Sequence, residues 1–261
     1  MKEPIILQSW EEFEQASLRI ISEKRERKEK TEGHVDHPLF RGQSDSGWLL
    51  ESTLDRLQKG MSVSDYYNNI IRVVHKHVET CTDRKWDLDK KVSLGEFDLP
   101  AYEFMAYLRH NGFPSPLLDW TRSPYIAAYF AFGDIYLTSK DKEYVSIFVC
   151  PKHFWCGEEP HIRSLGPTIA THRNHYLQQS EYTICVKKLG EERYYANHED
   201  VLPHENRDAL VKYNIPISEQ QKVLKKLDSM NITGYSLFNS ETSLMETLAV
   251  REIIIKMENR P

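Results

Sequence analysis

Long hydrophobic runs are missing from this sequence of 261 residues. No apolar stretch approaches the roughly 18 residues that a membrane-spanning helix requires. The first residues, MKEPIILQSWEEFE, also lack the basic-then-apolar pattern of a secretion signal. We therefore expect a cytoplasmic protein. A hydrophobic fraction of 40% in a chain of this length still allows a substantial buried core.

Cysteines are few, four in the whole chain, and they are widely scattered. A chain of this size does not need disulfides to be stable, so we expect reduced thiols. Cys150 and Cys156 flank His153 in CPKHFWC. Five intervening residues are not a usual zinc spacing and a second ligand pair is missing, so we predict no metal site.

The familiar nucleotide and hydrolase motifs are also missing. The sequence contains no P-loop, no GxGxxG and no GxSxG, which excludes the commoner kinases, Rossmann enzymes and serine hydrolases. The formal net charge of -5 argues against a surface built as a whole for nucleic acid, although a local basic groove stays compatible with it.

The first 37 residues combine a helical pattern with a charged segment. Ser9 and Glu12 fit the capping box at the start of a helix. Four apolar residues lie near one face of that helix: Trp10, Phe13, Leu18 and Ile21. The charge-rich segment SEKRERKEKTEGH then predicts a helix tail that runs into an exposed loop. We expect residues 1–37 to pack on a single domain formed by residues 38–261.

Helical and strand-like patterns mix along the rest of the chain. Periodicity predicts a helix over residues 64–81, capped by Ser64, and another over residues 99–110, with Pro100 near its first turn. Short apolar runs such as EYTICV are typical of strands. The fold class is therefore α+β, with a mixed central sheet and helices packed around it.

The segment LFRGQSD places an arginine and a glycine at the expected end of a short strand. Arg41 is either a buried cation paired with a carboxylate or a guanidinium that binds a phosphate or carboxylate ligand. Gly42 favours the second interpretation, because it lets a ligand approach the backbone. Gln43 adds a hydrogen-bonding group and is equally well explained as a turn former.

The segment HNGFPSPLLDWTRSPYIAAYFAF carries the densest set of polar groups. His110 lies at a helix C-terminus, where the helix dipole favours imidazolium, and helix capping explains it as well. Asp119, Trp120 and Thr121 emerge from a short buried strand. A carboxylate in such apolar company needs a partner, and Arg41 is the obvious one.

The helix that follows is predicted to start with Ser123 as its cap and Pro124 in its first turn. Its large side chains are expected to fill the core: Tyr125, Ile126, Tyr129, Phe130 and Phe132.

Four blocks together resemble the FRG-domain family of bacterial proteins, named after a motif present here as Phe40-Arg41-Gly42. The blocks are FRGQSDSGWLLESTLDR, RHNGFPSPLLDWTRSPYIAAYFAF, RNHYLQQSEYTICV and ITGYSLFNSETSLMETLA. They span roughly residues 38–250 in order. The chain departs from the family pattern at Ser180, where glycine is frequent, and at Phe238-Asn239, where Phe-Pro is common.

The order of three blocks is also similar to that of ADP-ribosyltransferases of the Arg-Ser-Glu type. This resemblance implies an ADP-ribosyltransferase-like fold and an NAD site. In it Arg41 would hold NAD phosphate or ribose, and Thr121 would order the site. Gln178, Gln179 or Glu181 would hydrogen-bond the nicotinamide ribose, while a carboxylate would stabilise the oxocarbenium ion formed on cleavage.

The resulting site hypothesis has two groups of residues. The catalytic group comprises Arg41, Asp119, Gln178 and Glu181. The binding group comprises Gly42, Gln43, His110, Trp120, Thr121 and Gln179. A buried amide network explains the two glutamines equally well.

The resemblance implies an intracellular bacterial effector that uses NAD on a macromolecular or nucleotide target, in toxin or phage-defence systems. A second hypothesis is a non-catalytic module that binds a nucleotide, nucleic acid or protein through the Arg41 pocket. A third is a nuclease-like enzyme using Asp119, His110 and Arg41, and the missing carboxylate cluster for a metal counts against it.

Overall fold

A mixed eight-stranded sheet forms the centre of the structure, a computed structural model that describes residues 3–30, 37–94, 97–137, 141–150, 161–165, 173–201 and 210–256. The predicted α+β class with a mixed central sheet is therefore confirmed. The strands are β1 (Ile5–Ile6), β2 (Leu39–Gln43), β3 (Lys91–Ser93), β4 (Asp98–Pro100), β5 (Leu118–Thr121), β6 (Tyr144–Cys150), β7 (His161–Leu165), β8 (Ser180–Leu189), β9 (Glu192–Tyr195) and β10 (Val211–Pro216).

The sheet has the order β1-β10-β6-β2-β5-β8-β7, and β9 pairs with β8. Only the β1–β10 pair is parallel among the described strands. The strands β3 and β4 form a separate antiparallel pair. The neighbouring strands β2, β5 and β8 come from the first three sequence blocks, so these blocks meet in the sheet although they are far apart in the sequence.

Helices cover the sheet. They are α1 (Trp10–Lys30), α2 (Thr53–Leu57), α3 (Val63–Asp65), α4 (Arg72–Thr82), α5 (Tyr102–His110), α6 (Pro124–Phe132), α7 (Arg173–Leu177), α8 (His198–Val201), α9 (Gln220–Ser229), α10 (Gly234–Phe238) and α11 (Glu241–Ala249). Residues Tyr66–Ile71 and Val250–Ile255 form π-helical turns that continue α3 and α11. No described helix has the length and apolar composition of a membrane span.

The first helix packs on the sheet, and one of the four residues predicted to share its apolar face lies elsewhere. Trp10 and Phe13 are buried in one cluster with residues of α6 and β10. Leu18 is 51% exposed, whereas Ser17 is buried. At 100° per residue, position 17 returns to within about 20° of Trp10 and position 18 lies about 80° away. Residues 31–36 lie outside the described residues, so the boundary at residue 37 stays a prediction.

Two predicted helix starts need correction. The side chain of Ser62 accepts a hydrogen bond from the Asp65 amide, so Ser62 caps α3 and Ser64 lies inside it. Pro100 ends β4, and α5 begins at Tyr102 after Ala101, which adopts a left-handed backbone with φ 56°. The first of these two helices is therefore capped two residues earlier than the hydrophobic period indicates, and the second begins three residues later.

The cysteine interpretation is tested in part. None of the described cysteines, Cys81, Cys150 and Cys185, forms a disulfide. His153 and Cys156 lie outside the described residues.

Arg41 lies in the middle of β2 rather than at its end. The strand pairs with β6 from Leu39 to Gln43, which extends it beyond the turn expected at Gly42. Its other neighbour is β5, and that ladder contains one pair, Phe40 with Thr121. The two strands therefore separate directly after this pair, next to Arg41.

Gly42 is needed for helix packing, a role that the sequence analysis did not predict, and its role in ligand access stays a prediction. A Cβ atom at Gly42 would overlap the carbonyl oxygen of Ala127 and lie 2.8 Å from the amide nitrogen of Ala131. Ala127 and Ala131 are one turn apart on α6 and both are fully buried. The helix thus lies directly against the backbone of β2.

The start of α6 is confirmed, and its predicted core is partly wrong. Ser123 accepts a hydrogen bond from the Ile126 amide, and Pro124 occupies the first turn. Tyr125 is only half-buried and its hydroxyl donates to Glu14. Phe130 is 39% exposed, because it is turned about 100° from Ala131, which faces β2.

The packing of α6 on β2 predicts the effect of Gly42→Ala. The new methyl group would meet backbone atoms that cannot move independently, so we expect a loss of about 3 kcal/mol in the free energy of unfolding. Gly47→Ala is the control, because its nearest neighbour would be a movable Asp45 carboxylate oxygen at 3.3 Å, and should cost under about 1 kcal/mol. Urea unfolding measures both. Equal losses would contradict the packing role of Gly42.

Candidate functional site

The separation of β2 from β5 is bridged by the Arg41 side chain. Its Nη1 atom donates to the backbone carbonyl oxygen of Asp119 at 2.6 Å and to the Asp119 carboxylate oxygen Oδ2 at 3.0 Å. The predicted pairing of Arg41 with Asp119 is therefore confirmed. A side chain supplies hydrogen bonds here where the ladder between the strands has ended.

A second arginine holds the same carboxylate from the other side. Arg109, near the C-terminus of α5, approaches Asp119 Oδ1 with its Nε atom at 2.5 Å. Sequence reasoning missed this residue and chose its neighbour His110. The signal was the Arg109-His110 pair at one helix end, and only the three-dimensional structure decides which of two adjacent residues faces β5.

The two guanidinium groups keep Asp119 ionised. Burial alone raises the pKa of Asp119, but the charges of Arg109 and Arg41 outweigh this effect and hold the pKa well below its usual range. The residue is set deep in the protein, yet 36% of its side-chain surface remains open, whereas the two arginines are mostly covered. Asp119 thus presents a permanent negative charge between two positive ones.

A cavity of about 260 Å³ opens onto this group. Its lining residues are Phe40, Arg41, Gly42, Gln43, Ser44, Trp48, Arg56, Arg109, Asp119, Trp120, Thr121, Phe130, Gln178 and Ser180. Three arginines face one carboxylate in this set, so the charge of the lining is positive. Trp48 and Phe130 also expose 42% and 39% of their surface. Cations beside exposed aromatic rings form a surface suited to an anionic ligand with a planar ring.

Two buried polar atoms on β2 have no hydrogen-bond partner among the described residues: Arg41 Nε and Gln43 Oε1. The amide nitrogen of Gln43 donates to the Leu49 carbonyl oxygen at 3.2 Å, which fixes the orientation of the amide. Arg41 and Gln43 are two residues apart, so their side chains leave the same face of the strand. The wall therefore offers one donor and one acceptor.

The structure brings seven of the ten predicted site residues to this cavity: Arg41, Gly42, Gln43, Asp119, Trp120, Thr121 and Gln178. Thr121 and Gln178 also link two sequence blocks, because the Thr121 hydroxyl donates to the Gln178 carbonyl oxygen at 2.7 Å. The Gln178 amide nitrogen donates to the Leu237 carbonyl oxygen. The amide-network interpretation of Gln178 is therefore partly correct, even though the residue lines the cavity.

Trp120 is part of the cavity wall and of a buried hydrogen-bond chain. Its indole nitrogen donates to the Thr183 hydroxyl at 2.9 Å, and this hydroxyl lies 2.8 Å from His198 Nε2. Burial, with the charge of Arg41, lowers the pKa of His198 to about 3, so its imidazole is neutral near pH 7. This chain fixes the indole ring, and sequence reasoning missed His198.

Glu181, Gln179 and His110 do not line the cavity. Glu181 is buried in an ion pair with Arg122, because Ser180 faces the cavity and the next strand residue points to the opposite face. Gln179 adopts a left-handed backbone with φ 48° and lines a second cavity of about 500 Å³ with Arg122. His110 Nε2 lies 2.5 Å from the Tyr182 hydroxyl. The roles predicted for these three residues have no support from this geometry.

Seven cavity residues were not among the predicted site residues: Phe40, Ser44, Trp48, Arg56, Arg109, Phe130 and Ser180. Trp48 and Arg56 lie within the first block, FRGQSDSGWLLESTLDR, so their place in that block was the available signal. In the part of the chain that the structure describes, no group of three or more His, Cys, Asp or Glu residues could hold a metal ion. The nuclease hypothesis therefore gains no metal site there.

Comparison with known families identifies an FRG domain in this chain. The family model of the FRG domain matches residues 36–140. The matched segment contains Arg41, Arg56, Arg109 and Asp119, whereas Gln178 lies beyond its end. No curated protein and no solved structure matches the chain.

The pKa of Asp119 predicts how stability depends on pH. A lowered pKa in the folded state stabilises the protein above the unfolded value of about 4, and this contribution is lost as the pH falls through the folded value. Asp119→Asn removes the charge and should cost about 2 kcal/mol at pH 7, less than a fully enclosed pair because the carboxylate is partly open to solvent. The difference in unfolding free energy between wild type and variant should then shrink below about pH 4.

Chemical unfolding between pH 2 and pH 7 measures this difference. Asp98→Asn, at an exposed carboxylate of β4, is the matched control and should change little over the same range. A difference between wild type and Asp119→Asn that stays constant with pH would contradict the ion-paired state of Asp119.

Proposed function

Because the chain carries an FRG domain, we propose that this domain is an NAD-using, ADP-ribosyltransferase-like unit with its site in the cavity around Asp119. The observation that carries the proposal is the ionised Asp119, held between Arg41 and Arg109 in a positively charged cavity with exposed aromatic rings. A target of macromolecular or nucleotide nature, and a role in toxin or phage-defence systems, belong to the same proposal.

The charge of the lining supports a phosphate-bearing ligand. Guanidinium groups bind phosphate oxygens through paired, charge-assisted hydrogen bonds. The lining has more arginines than carboxylates, so an anionic ligand compensates charge that an uncharged ligand would leave unbalanced. The volume of about 260 Å³ is slightly below the range of about 300 to 1,000 Å³ that is usual for ligand sites. The cavity therefore suits one nucleoside half of NAD, with the other half extending outward.

Asp119 has the electrostatic state that NAD cleavage requires. As the bond between nicotinamide and ribose breaks, nicotinamide leaves with the bonding electron pair and the ribose becomes an oxocarbenium ion. Asp119 remains ionised at neutral pH and can stabilise this positive charge without proton transfer. A water or acceptor nucleophile then bonds to the ribose carbon and releases its proton to the solvent.

The hydrogen-bonding groups of the cavity fit a ribose. The nitrogen of the Gln178 amide is engaged by Leu237, which leaves the amide oxygen to accept a ribose hydroxyl. Thr121 orders the site through its bond to the Gln178 backbone. Asp119 itself would be a poor general base, because a base works best when its pKa is near the working pH.

A second candidate function is nucleotide binding without turnover. It is favoured by the engagement of both Asp119 oxygens by arginines, which neutralises much of the carboxylate charge. No other carboxylate is among the described residues that line the cavity. A site with a single, fully paired carboxylate can bind a nucleotide and yet stabilise an oxocarbenium ion weakly.

The transferase proposal predicts that Asp119→Asn loses turnover while it keeps NAD binding. The change removes the charge but keeps the shape, so nicotinamide release should fall by roughly two to three orders of magnitude. Glu181→Gln is the matched control, because that carboxylate is paired with Arg122 away from the cavity, and it should release nicotinamide at the wild-type rate. Chromatography measures nicotinamide, and calorimetry measures NAD affinity.

The other outcomes separate the candidates. Saturable NAD binding by the wild type without nicotinamide release would identify the binding module. A Glu181→Gln variant that is folded and inactive would transfer the catalytic role back to Glu181. Absence of both binding and release would reject both functions.

A further inference from the structure

Arg56 differs from the other two arginines of the cavity. Arg41 and Arg109 are both paired with Asp119. Arg56 is exposed, and no carboxylate within the described residues pairs with it. Its guanidinium carbon lies 5.6 Å from the centre of the Trp48 ring instead. Arg56 is therefore a cation whose charge is left for a ligand.

Trp48 supplies a flat surface at the same place. The ring is 42% exposed and lines the cavity with Arg56. The Lys142 ammonium group also lies 5.4 Å from the ring centre, but its charge is partnered by Asp45. Two cations thus lie against the ring, and the charge of Arg56 remains available to a ligand.

The inner and outer parts of the cavity have different chemistry. The inner part contains the negative charge of Asp119 and the unpartnered acceptor Gln43 Oε1. Arg41 and Arg109 lie beside them, but both guanidinium groups are engaged by Asp119. Asp119 and Gln43 Oε1 therefore favour a ligand group that donates a hydrogen bond, and a phosphate group finds a cation without a carboxylate partner only at Arg56 among the described lining residues. Arg56, at the outer part, favours a phosphate group. A ligand with hydroxyl donors at one end and a phosphate group at the other therefore has one favourable orientation.

We propose that Arg56 and Trp48 form a phosphate-and-ring subsite at the mouth of the cavity, and that the nucleotide binds with its phosphate there and its ribose end directed toward Asp119. This inference rests on the proposed nucleotide site and adds to it the residues that bind phosphate and the direction of binding. The ring stacked on Trp48 belongs to the part of the nucleotide that lies outside the cavity.

The chain offers a matched control for Arg56. Arg84 is also exposed and also lies over an aromatic ring, with its guanidinium carbon 5.4 Å from the centre of the Tyr107 ring. It does not line the cavity. Arg56→Ala and Arg84→Ala therefore remove the same kind of surface interaction, and only the first removes a cation from the subsite.

The test compares ligands with and without phosphate. Calorimetry measures the affinities of NAD, nicotinamide mononucleotide and nicotinamide riboside, which lacks phosphate. Arg56→Ala should weaken the two phosphate-bearing ligands by about tenfold to a hundredfold, as expected for a charged hydrogen bond, and leave the riboside unchanged. Arg84→Ala should bind all three ligands as the wild type does. Raising the salt concentration should weaken NAD binding to the wild type more than to Arg56→Ala.

The failures can be told apart. A wild type that binds none of the phosphate-bearing ligands rejects the nucleotide site and the subsite with it. A wild type that binds NAD, together with an Arg56→Ala variant that binds it equally, rejects the subsite alone. An equal loss for the riboside in Arg56→Ala would assign Arg56 to the packing of Trp48 and overturn its role in phosphate binding.

Trp48→Leu tests the ring half of the subsite separately. Stacking on an aromatic ring contributes about 1 to 3 kcal/mol per base, so NAD affinity should fall by about fivefold or more. A thermal melt checks that the variant is folded, which is expected because Trp48 is 42% exposed. Unchanged NAD affinity in a folded Trp48→Leu protein overturns the ring contact.

Discussion

The carboxylate of Asp119 is the constraint on which the rest of the site depends. It lies where β2 and β5 separate, and both of its oxygens are held by arginines from different elements. Removing one partner of such a group leaves an uncompensated buried charge, which is costly. The same separation of strands opens the cavity. Arg41, Arg109 and Asp119 therefore both stabilise the place where the two strands separate and determine the charge of the cavity there.

The three residues Phe40, Arg41 and Gly42 have three distinct roles in this arrangement. Phe40 is fully buried in the core cluster under α6, and its pairing with Thr121 is the last ladder contact between the two strands. Arg41 bridges the strands beyond that pair. Gly42 lets α6 pack against the strand backbone. Three consecutive residues thus determine the packing of the core, the bridge between the strands and the contact with α6. A substitution at any one of them is therefore expected to disturb the region around Asp119.

Sequence reasoning predicted the fold class and the pairing of Arg41 with Asp119, because both follow from local pattern and from the cost of an unpaired buried charge. Each predicted site residue that does not line the cavity is next to a residue that does. Glu181 was chosen although Ser180 faces the cavity, and His110 was chosen although Arg109 does. One residue reverses the face of a strand and turns a helix by about 100°. The local sequence does not show which of two adjacent residues faces the cavity, because the orientation of each strand and helix depends on its packing against elements that are distant in the sequence.

The charges of the cavity residues are constant near neutral pH, and this limits the kinds of chemistry that the site can perform. Its lining contains no histidine, cysteine, lysine or glutamate among the described residues. Asp119 stays ionised because its pKa is lowered, the arginines stay protonated, and His198 behind the wall stays neutral. A mechanism that needs a group of the cavity to exchange a proton at pH 7 has no such group there. What remains is recognition of charge and stabilisation of charge. Both agree with a site that binds an anionic nucleotide and, in the catalytic case, acts on a leaving group that departs without a proton from the protein.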